Sequence, residues 1–292
     1  MKFDIIIPTC GRDASLSKAV ESAIPQLNEH GRIIVVNDGE LDVARILEQQ
    51  FAEQVSDERL IVISNSGPHG ASRARNAGVA FSNAELILFL DDDDTFAPQA
   101  VERILAAAKG DFKYGFAVSP KKAQTGQRGA RIADLPVKYR FAATSAAFWI
   151  RRDVFNAIGQ FDEELTVAED FDLCARLRAK QIAGWASYEA GVKRGQIRDT
   201  DQTQSLVQRT AVKETIRCRH ELMARNLDNF SYANAEKFYL IEQFARRAVR
   251  SGMSRYALKK IAKQFPNPIA LFGLIVWVFN LLGAPRDAAA RK

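Results

Sequence analysis

Apolar and polar residues alternate in blocks over the first 95 residues, and the blocks switch period. "FDIIIPT" (3–9) is a short apolar run marked by Pro8, which reads as a buried strand. "SLSKAVESAIPQL" then carries Leu16, Ala19, Val20, Ala23 and Ile24 at helical spacing, with Pro25 near its end. "RIIVVND" predicts a second strand, "LDVARILEQQF" a helix, "RLIVISN" a third strand, "ASRARNAGVAF" a helix and "AELILFL" a fourth strand. Strands alternating with helices predict an α/β fold with a parallel sheet covered on both faces.

In such sheets ligands bind beyond the carboxyl ends of the strands. The sequence gathers polar residues and glycines at those ends. They are Pro8-Thr9 after the first strand, Asn37-Asp38-Gly39 after the second, Asn65, Gly67, His69 and Gly70 after the third, and Asp91 to Asp94 after the fourth.

Beyond Leu206 the pattern turns helical. Phe238, Ile241, Phe244 and Ala248, then Met253, Ala257, Ile261 and Phe265, recur at helical spacing with Arg and Lys on the other faces. "IALFGLIVWVFNLLG" (269–283) follows. As a helix it would reach roughly 22 Å, short of the ~30 Å hydrocarbon core, so it predicts an interfacial segment rather than a span.

Charge sharpens this division. Net charge is +6, but residues 236–292 hold 11 Lys or Arg against 3 Asp or Glu, while the first 235 residues come to −2. A basic tail beside an apolar face predicts a membrane surface as partner for residues 236–292. Three scattered cysteines match neither a zinc spacing nor a disulfide framework, which fits a reducing compartment. The apolar start is too short for a secretory signal, so the expected location is cytoplasmic, peripheral on the inner face of the cell membrane.

The four aspartates carry the candidate chemistry. Adjacent carboxylates repel unless solvent or a cation relieves them. Read as extended chain, Asp91 and Asp93 share a face and converge. Carboxylate oxygens suit Mg²⁺ or Mn²⁺, which bind through one or two carboxylates plus substrate phosphates. GxxxxGK[ST] is absent, as is GxGxxG after the first strand, which excludes the usual phosphate loops.

The pieces "IIIPTCGR", "IIVVNDG", "GASRARNAG", "LILFLDDDD", "FWIRRDVFNAIGQFDEEL" and "EDFDLCARL" stand in this order over roughly residues 3–180. In that order they resemble the family 2 glycosyltransferases, which have the GT-A nucleotide-sugar fold. The resemblance implies a GT-A type, Rossmann-like, mostly parallel sheet with a helical C-terminal extension. Residues 1–205 would form the catalytic domain, 1–95 binding the nucleotide sugar and 96–205 the acceptor, and 206–292 the extension. It implies that Asp38 contacts the base and that Pro8, Thr9 and Gly39 lie against the nucleotide. Arg75, in "ARN", would bind base or phosphate. The DxD motif falls on Asp91, Asp92 and Asp93, with Asp93 and Asp91 as metal ligands and Asp91 or Asp92 near the ribose. Asp94 has no assigned role.

"VAEDFDLCARLRAKQ" begins with Glu169, Asp170 and Asp172, acids that also suit the first turn of a helix. The resemblance makes Glu169 and Asp170 the catalytic pair, with Asp170 the general base and one inverting displacement. The donor would be a nucleotide sugar, UDP by default, and the acceptor a saccharide, lipid-linked or lipopolysaccharide. The stretch 119–141 is expected to be loop-rich, with Lys121, Lys122, Arg128 and Arg131 near an anionic acceptor. "TSAAFWI" predicts a strand with Trp149 in the core. Where relatives often supply a late histidine there is none, leaving Arg194, Arg198, Asp199 or Gln202 to approach the diphosphate. His69 is a rim candidate, while His30 and His220 are bystanders. The QxxRW signature of processive synthases is missing. The alternatives are a nucleotidyltransferase on the same fold, or a non-enzymatic basic-tailed nucleic-acid or membrane binder. No nucleic-acid motif is present and the bulk is acidic, so nucleic acid is not expected as a partner.

Overall fold

The computed structural model describes residues 1–11, 13–118, 128–141, 147–189, 191–193, 211–229 and 235–264. They divide into two compact units, Met1–Ser205 and Leu206–Lys292.

The first unit is built on an eight-stranded sheet. Its strands are β1 (Phe3–Thr9), β2 (Gly31–Asn37), β3 (Leu60–Ser64), β4 (Leu86–Phe89), β6 (Tyr114–Ala117), β7 (Gly129–Arg131), β8 (Trp149–Arg151) and β9 (Gly184–Ser187). The order is β3-β2-β1-β4-β8-β6-β9-β7. The β1–β2, β2–β3, β1–β4 and β6–β9 pairs are parallel, while β8 runs antiparallel to β4 and β6, and β7 to β9. A small antiparallel pair joins β5 (Thr95–Phe96) to β10 (Val192–Lys193).

The first half matches its pattern closely: β1 and the helix Ala71–Phe81 have the expected bounds. Odd positions of β1 (Phe3, Ile5, Ile7) enter a core with Leu16, Ala19, Val20 and Ala23 of α1 (Asp13–Ala23) and Val43 and Leu47 of α2 (Val43–Gln50). After the short α3 (Ala52–Ser56), the even position Ile6 faces α4 (Ala71–Phe81) on the other side. One apolar run thus feeds two cores, as a doubly covered parallel sheet requires. α4 approaches so closely that a Cβ on Gly78 would lie 2.5 Å from Ile6 Cγ2 and 3.0 Å from Val36 Cγ2. Gly78→Ala gains up to about 1 kcal/mol of helix propensity. Overpacking a branched, buried neighbour costs about 1–3 kcal/mol and wins. We expect a lower denaturant midpoint at unchanged slope; a midpoint at or above that of the parent would refute this close packing.

The second half departs from its pattern. Of the strand expected over 144–150, residues 144–146 lie outside the described residues; Ala147 turns with φ +53°, and β8 spans Trp149–Arg151. Trp149 is core, as expected, at 2% exposure. Within 119–141 the described part is not simply loop: β7 forms the sheet edge, and 3-10 turns follow at Ile132–Asp134 and Val137–Tyr139. Arg131 sits on that edge strand and Arg128 beside it, both exposed, whereas Lys121 and Lys122 lie outside the described residues. Three more helices, α5 (Ala100–Ala108), α6 (Arg152–Ala157) and α7 (Glu169–Ala179), complete this unit among the described residues.

The second unit contains α8 (Val212–Asn226), α9 (Ala235–Arg250) and α10 (Ser254–Gln264). The apolar stripe of α9 and α10 is turned inward. Ile241, Phe244, Ala248, Ala257 and Ile261 are at most 2% exposed and pack with Ile216, Met223 and Leu227. Helices with an apolar face bury it in the nearest core when one can form. His220 lies against Phe244 and Tyr256; its burial, then nearby Lys260, push its pKa down. Among the described residues no helix is long and apolar enough to cross a membrane. The run 269–283 lies outside the described residues.

Candidate active site

The carboxyl ends of β1, β2, β3 and β4 bring the expected residues to one rim. The exits of β1 and β2 nearly touch: Asp38 N donates to Thr9 O at 2.7 Å, and a Cβ on Gly39 would lie 2.6 Å from Cys10 O. Glycine is therefore needed at position 39 for the two backbones to close. The Asp38 carboxylate is held firmly. Gly70 N donates to Oδ2 at 2.7 Å, Asn65 Nδ2 donates to Oδ1 at 2.6 Å, and His69 Nδ1 lies 3.3 Å from Oδ1. Its side chain is 9% exposed. The rim had flagged Asn65, Gly70 and His69, but not that they bind Asp38.

Asp91 to Asp94 do not run as extended chain. Asp94 N donates to Asp91 O at 3.1 Å, which closes a four-residue turn between β4 and β5. The turn, not strand alternation, decides which carboxylates meet. Ligand oxygens of Asp91, Asp93 and Asp94 lie within 4.8 Å of one another. Asp92 points elsewhere: its Oδ2 accepts from Thr9 Oγ1 at 2.7 Å, and both residues are buried. The sequence reading thus missed Asp94 as a member of the group. Three oxygen donors at this spacing fit a hard divalent cation such as Mg²⁺ or Mn²⁺.

The second acid cluster sits at the start of α7, on the same rim. The residue before it, Ala168, has φ +69°, a left-handed conformation uncommon outside glycine. Asp170 Oδ1 accepts from Phe171 N at 2.7 Å, and the Phe171 ring stacks on Phe141 with centroids 4.5 Å apart. Asp170 is half-buried, whereas Glu169 is buried. Asp172 faces inward to Arg176 at 2.8 Å, a structural ion pair rather than part of the cleft.

Arg75 joins the clusters. Its Nη2 donates to Asp91 Oδ1 at 2.7 Å and its Nη1 to Glu169 Oε1 at 2.9 Å. Phe161 lies under the guanidinium, 5.6 Å from its centroid. Asn76 fixes that phenylalanine by donating to its carbonyl at 3.0 Å and accepting from its N–H at 3.1 Å. The motif resemblance singled out Arg75; its engagement with both clusters was not legible in the sequence. Burial opposes its charge, but Asp91 and Glu169 outweigh burial and hold its pKa above the ordinary value.

Glu169 is pushed up to about 7, first by burial and then by Asp170, with Arg75 pulling the other way. Between its ordinary 4.5 and about 7 the folded state holds more protons than the unfolded state, so stability falls as pH rises through that window. Glu169→Gln removes this slope. The melting temperature of the variant minus that of the parent should increase from about pH 5 to about pH 7.5. A difference that is flat across the window would contradict the assignment.

A separate cavity between α5 and the β6–β8–β9 face is lined by Ile104, Phe116, Trp149, Trp185 and the Arg103–Glu189 pair, and contains neither acid cluster.

Residues 4–162 match the family described as Glycosyl transferase family 2. A protein of Haemophilus influenzae described as an uncharacterized glycosyltransferase is 26% identical over 287 residues, 90% of this chain and 92% of its own. The putative colanic acid biosynthesis glycosyl transferase WcaA of Escherichia coli is 25% identical over 197 residues, 64% of this chain and 70% of its own. Among solved structures, S. aureus TarS 1-349 in complex with UDP-GlcNAc superposes with a TM-score of 0.67 at 16% identity, covering 90% of this chain and 81% of that one. The mannosyltransferase PcManGT of Pyrobaculum calidifontis, in complex with GDP-Man and Mn²⁺, superposes at 0.63 with 13% identity, covering 97% and 81%. These structural likenesses are of fold, and they bear out the GT-A type architecture expected from the motifs.

Proposed function

The chain belongs to glycosyl transferase family 2, and from that premise we propose an inverting, metal-dependent sugar transfer in the assembly of a surface polysaccharide or lipopolysaccharide. The donor is a nucleoside diphosphate sugar, with UDP the first to try. The acceptor is a saccharide hydroxyl, lipid-linked in our reading. One observation carries this: two acid clusters on one rim, a three-carboxylate turn and a Glu-Asp pair, at the end of the sheet where this fold binds ligands.

Asp170 takes the acceptor's proton as its oxygen attacks the anomeric carbon. The bond from that carbon to the diphosphate oxygen breaks, and the sugar inverts. Of the two acids in the pair Asp170 is the more exposed, and Glu169 has an oxygen on Arg75, which favours Asp170 as the base. Asp38, held by Gly70 and Asn65, offers a fixed acceptor to the base of the nucleotide; Pro8, Thr9 and Gly39 shape the floor beneath it. Asp92 holds Thr9 in place from below. A divalent Mn²⁺ or Mg²⁺ on Asp91, Asp93 and Asp94 would offset charge developing on the leaving diphosphate.

We place the enzyme on the inner membrane face through residues 236–292. Because α9 and α10 spend their apolar residues internally, their contribution is charge: Arg247, Arg250, Arg255, Lys259 and Lys263 are exposed. Apolar insertion falls to 269–283.

The test is calorimetric binding and slow hydrolysis of a panel of nucleotide sugars, with and without Mn²⁺ or Mg²⁺. One donor should bind with metal and release its nucleoside diphosphate. Binding of none, with either metal, would overturn the reading.

A further inference from the structure

Arg75 is 5% exposed, yet it carries a full charge. A buried guanidinium is tolerated only when it is paired and hydrogen-bonded. Here the pairing spans two clusters distant in sequence: Arg75 reaches 16 positions to Asp91 and 94 positions to Glu169. The two terminal nitrogens of one rigid fork are split between two carboxylates, while Phe161 lies under the fork and is itself locked by Asn76.

We propose that Arg75 is a positioning residue. Its guanidinium fixes the catalytic pair relative to the donor-side turn, and it acts through Asp91 and Glu169 rather than by touching the nucleotide. This rests on the transferase reading above and departs from the role in base or phosphate binding implied by the motif. A carboxylate has two oxygens, so Asp91 can accept from Arg75 and still offer the other elsewhere. Lysine has charge but no planar fork and cannot hold both partners in the same geometry. Loss of the fork frees the start of α7, where Ala168 already holds a left-handed backbone. A displacement of about 1 Å at the base can cost about 10²-fold in rate.

The experiment uses the full chain with Arg75→Lys and Arg75→Ala, the donor that the parent turns over, and Mn²⁺. Turnover by Arg75→Lys should fall about 10²-fold, with donor affinity within about threefold of the parent. Added guanidinium should restore turnover to Arg75→Ala but not to Asp170→Asn. If Arg75→Ala does not fold, Arg75→Lys decides. Donor binding weakened more than about tenfold at retained turnover would overturn the proposal, and so would turnover within about threefold of the parent.

A second readout needs no activity. The melting-temperature shifts of Asp91→Asn and Glu169→Gln should be non-additive in the parent and additive in the Arg75→Lys background. Additivity in both backgrounds overturns the strut. A parent that turns over no donor counts against the transferase reading instead, and the stability cycle still judges Arg75.

Discussion

Asp170→Asn is expected to lower turnover by about 10²–10⁴-fold while donor affinity stays within a few-fold of the parent. A sugar hydroxyl is a weak nucleophile at neutral pH, and the carboxylate that removes its proton contributes in the transition state rather than in donor binding. The amide cannot accept that proton. It does keep an oxygen for Phe171 N, so the first turn of α7 and the Phe171–Phe141 stack should survive. The expected signature is therefore a loss in kcat without a matching change in donor dissociation constant or melting temperature. Single-turnover assays with saturating donor, together with calorimetry, separate the terms. A variant that retains more than about one tenth of parental turnover would remove Asp170 from the role of base.

The second large effect is on the donor side. Asp93→Ala should abolish the metal-induced rise in melting temperature and weaken metal-dependent donor binding by about 10²-fold, a loss of the order of 3 kcal/mol. The geometry singles out this position. Asp92 is buried on Thr9 and Asp94 is buried at the turn's end; of the two half-exposed members of the three-carboxylate group, Asp91 and Asp93, Asp91 gives an oxygen to Arg75. A ligand that binds only the folded state stabilises it by about 2.7 kcal/mol at a hundredfold excess over its dissociation constant. The parent should show that increment on adding Mn²⁺ and the variant should not. Without metal the sign reverses: removing one of several mutually repelling carboxylates leaves the variant at least as stable as the parent. Equal metal responses in the two proteins would move the site off this turn.

The first 95 residues were readable in the sequence because their signals are local. A run such as "FDIIIPT" fixes strand type and length through apolar continuity and a proline, and "ASRARNAGVAF" fixes a helix through its period. The rim followed from topology, so Thr9, Asp38 and the aspartates could be placed from the sequence, whereas Arg75 came only from the motif resemblance. What failed was long-range or conformational. Asp91 and Asp93 do come together as alternation predicted, but through a turn, which also recruits Asp94 and sends Asp92 to Thr9. Nothing near Arg75 announces a partner 94 positions away. In the tail the period was legible and the destination was not: Ile241, Phe244 and Ile261 mark a helical face, and a hydrophobic face alone does not say whether lipid or α8 will cover it.

The place where β4 meets β8 has a mechanical consequence. β1 to β4 and the strands that follow β5 in the chain are hydrogen-bonded into one continuous sheet, Leu86 to Leu88 pairing with Trp149 to Arg151. Such a joint has no hinge. Grip and release of substrates cannot come from two lobes swinging together, as in enzymes with a cleft between separate domains. The shared sheet is a stiff floor that keeps both acid clusters on one frame. Heating should then abolish donor binding and the near-ultraviolet signal of the buried Trp149 in a single transition, since neither half can melt while its neighbour in the sheet stays folded.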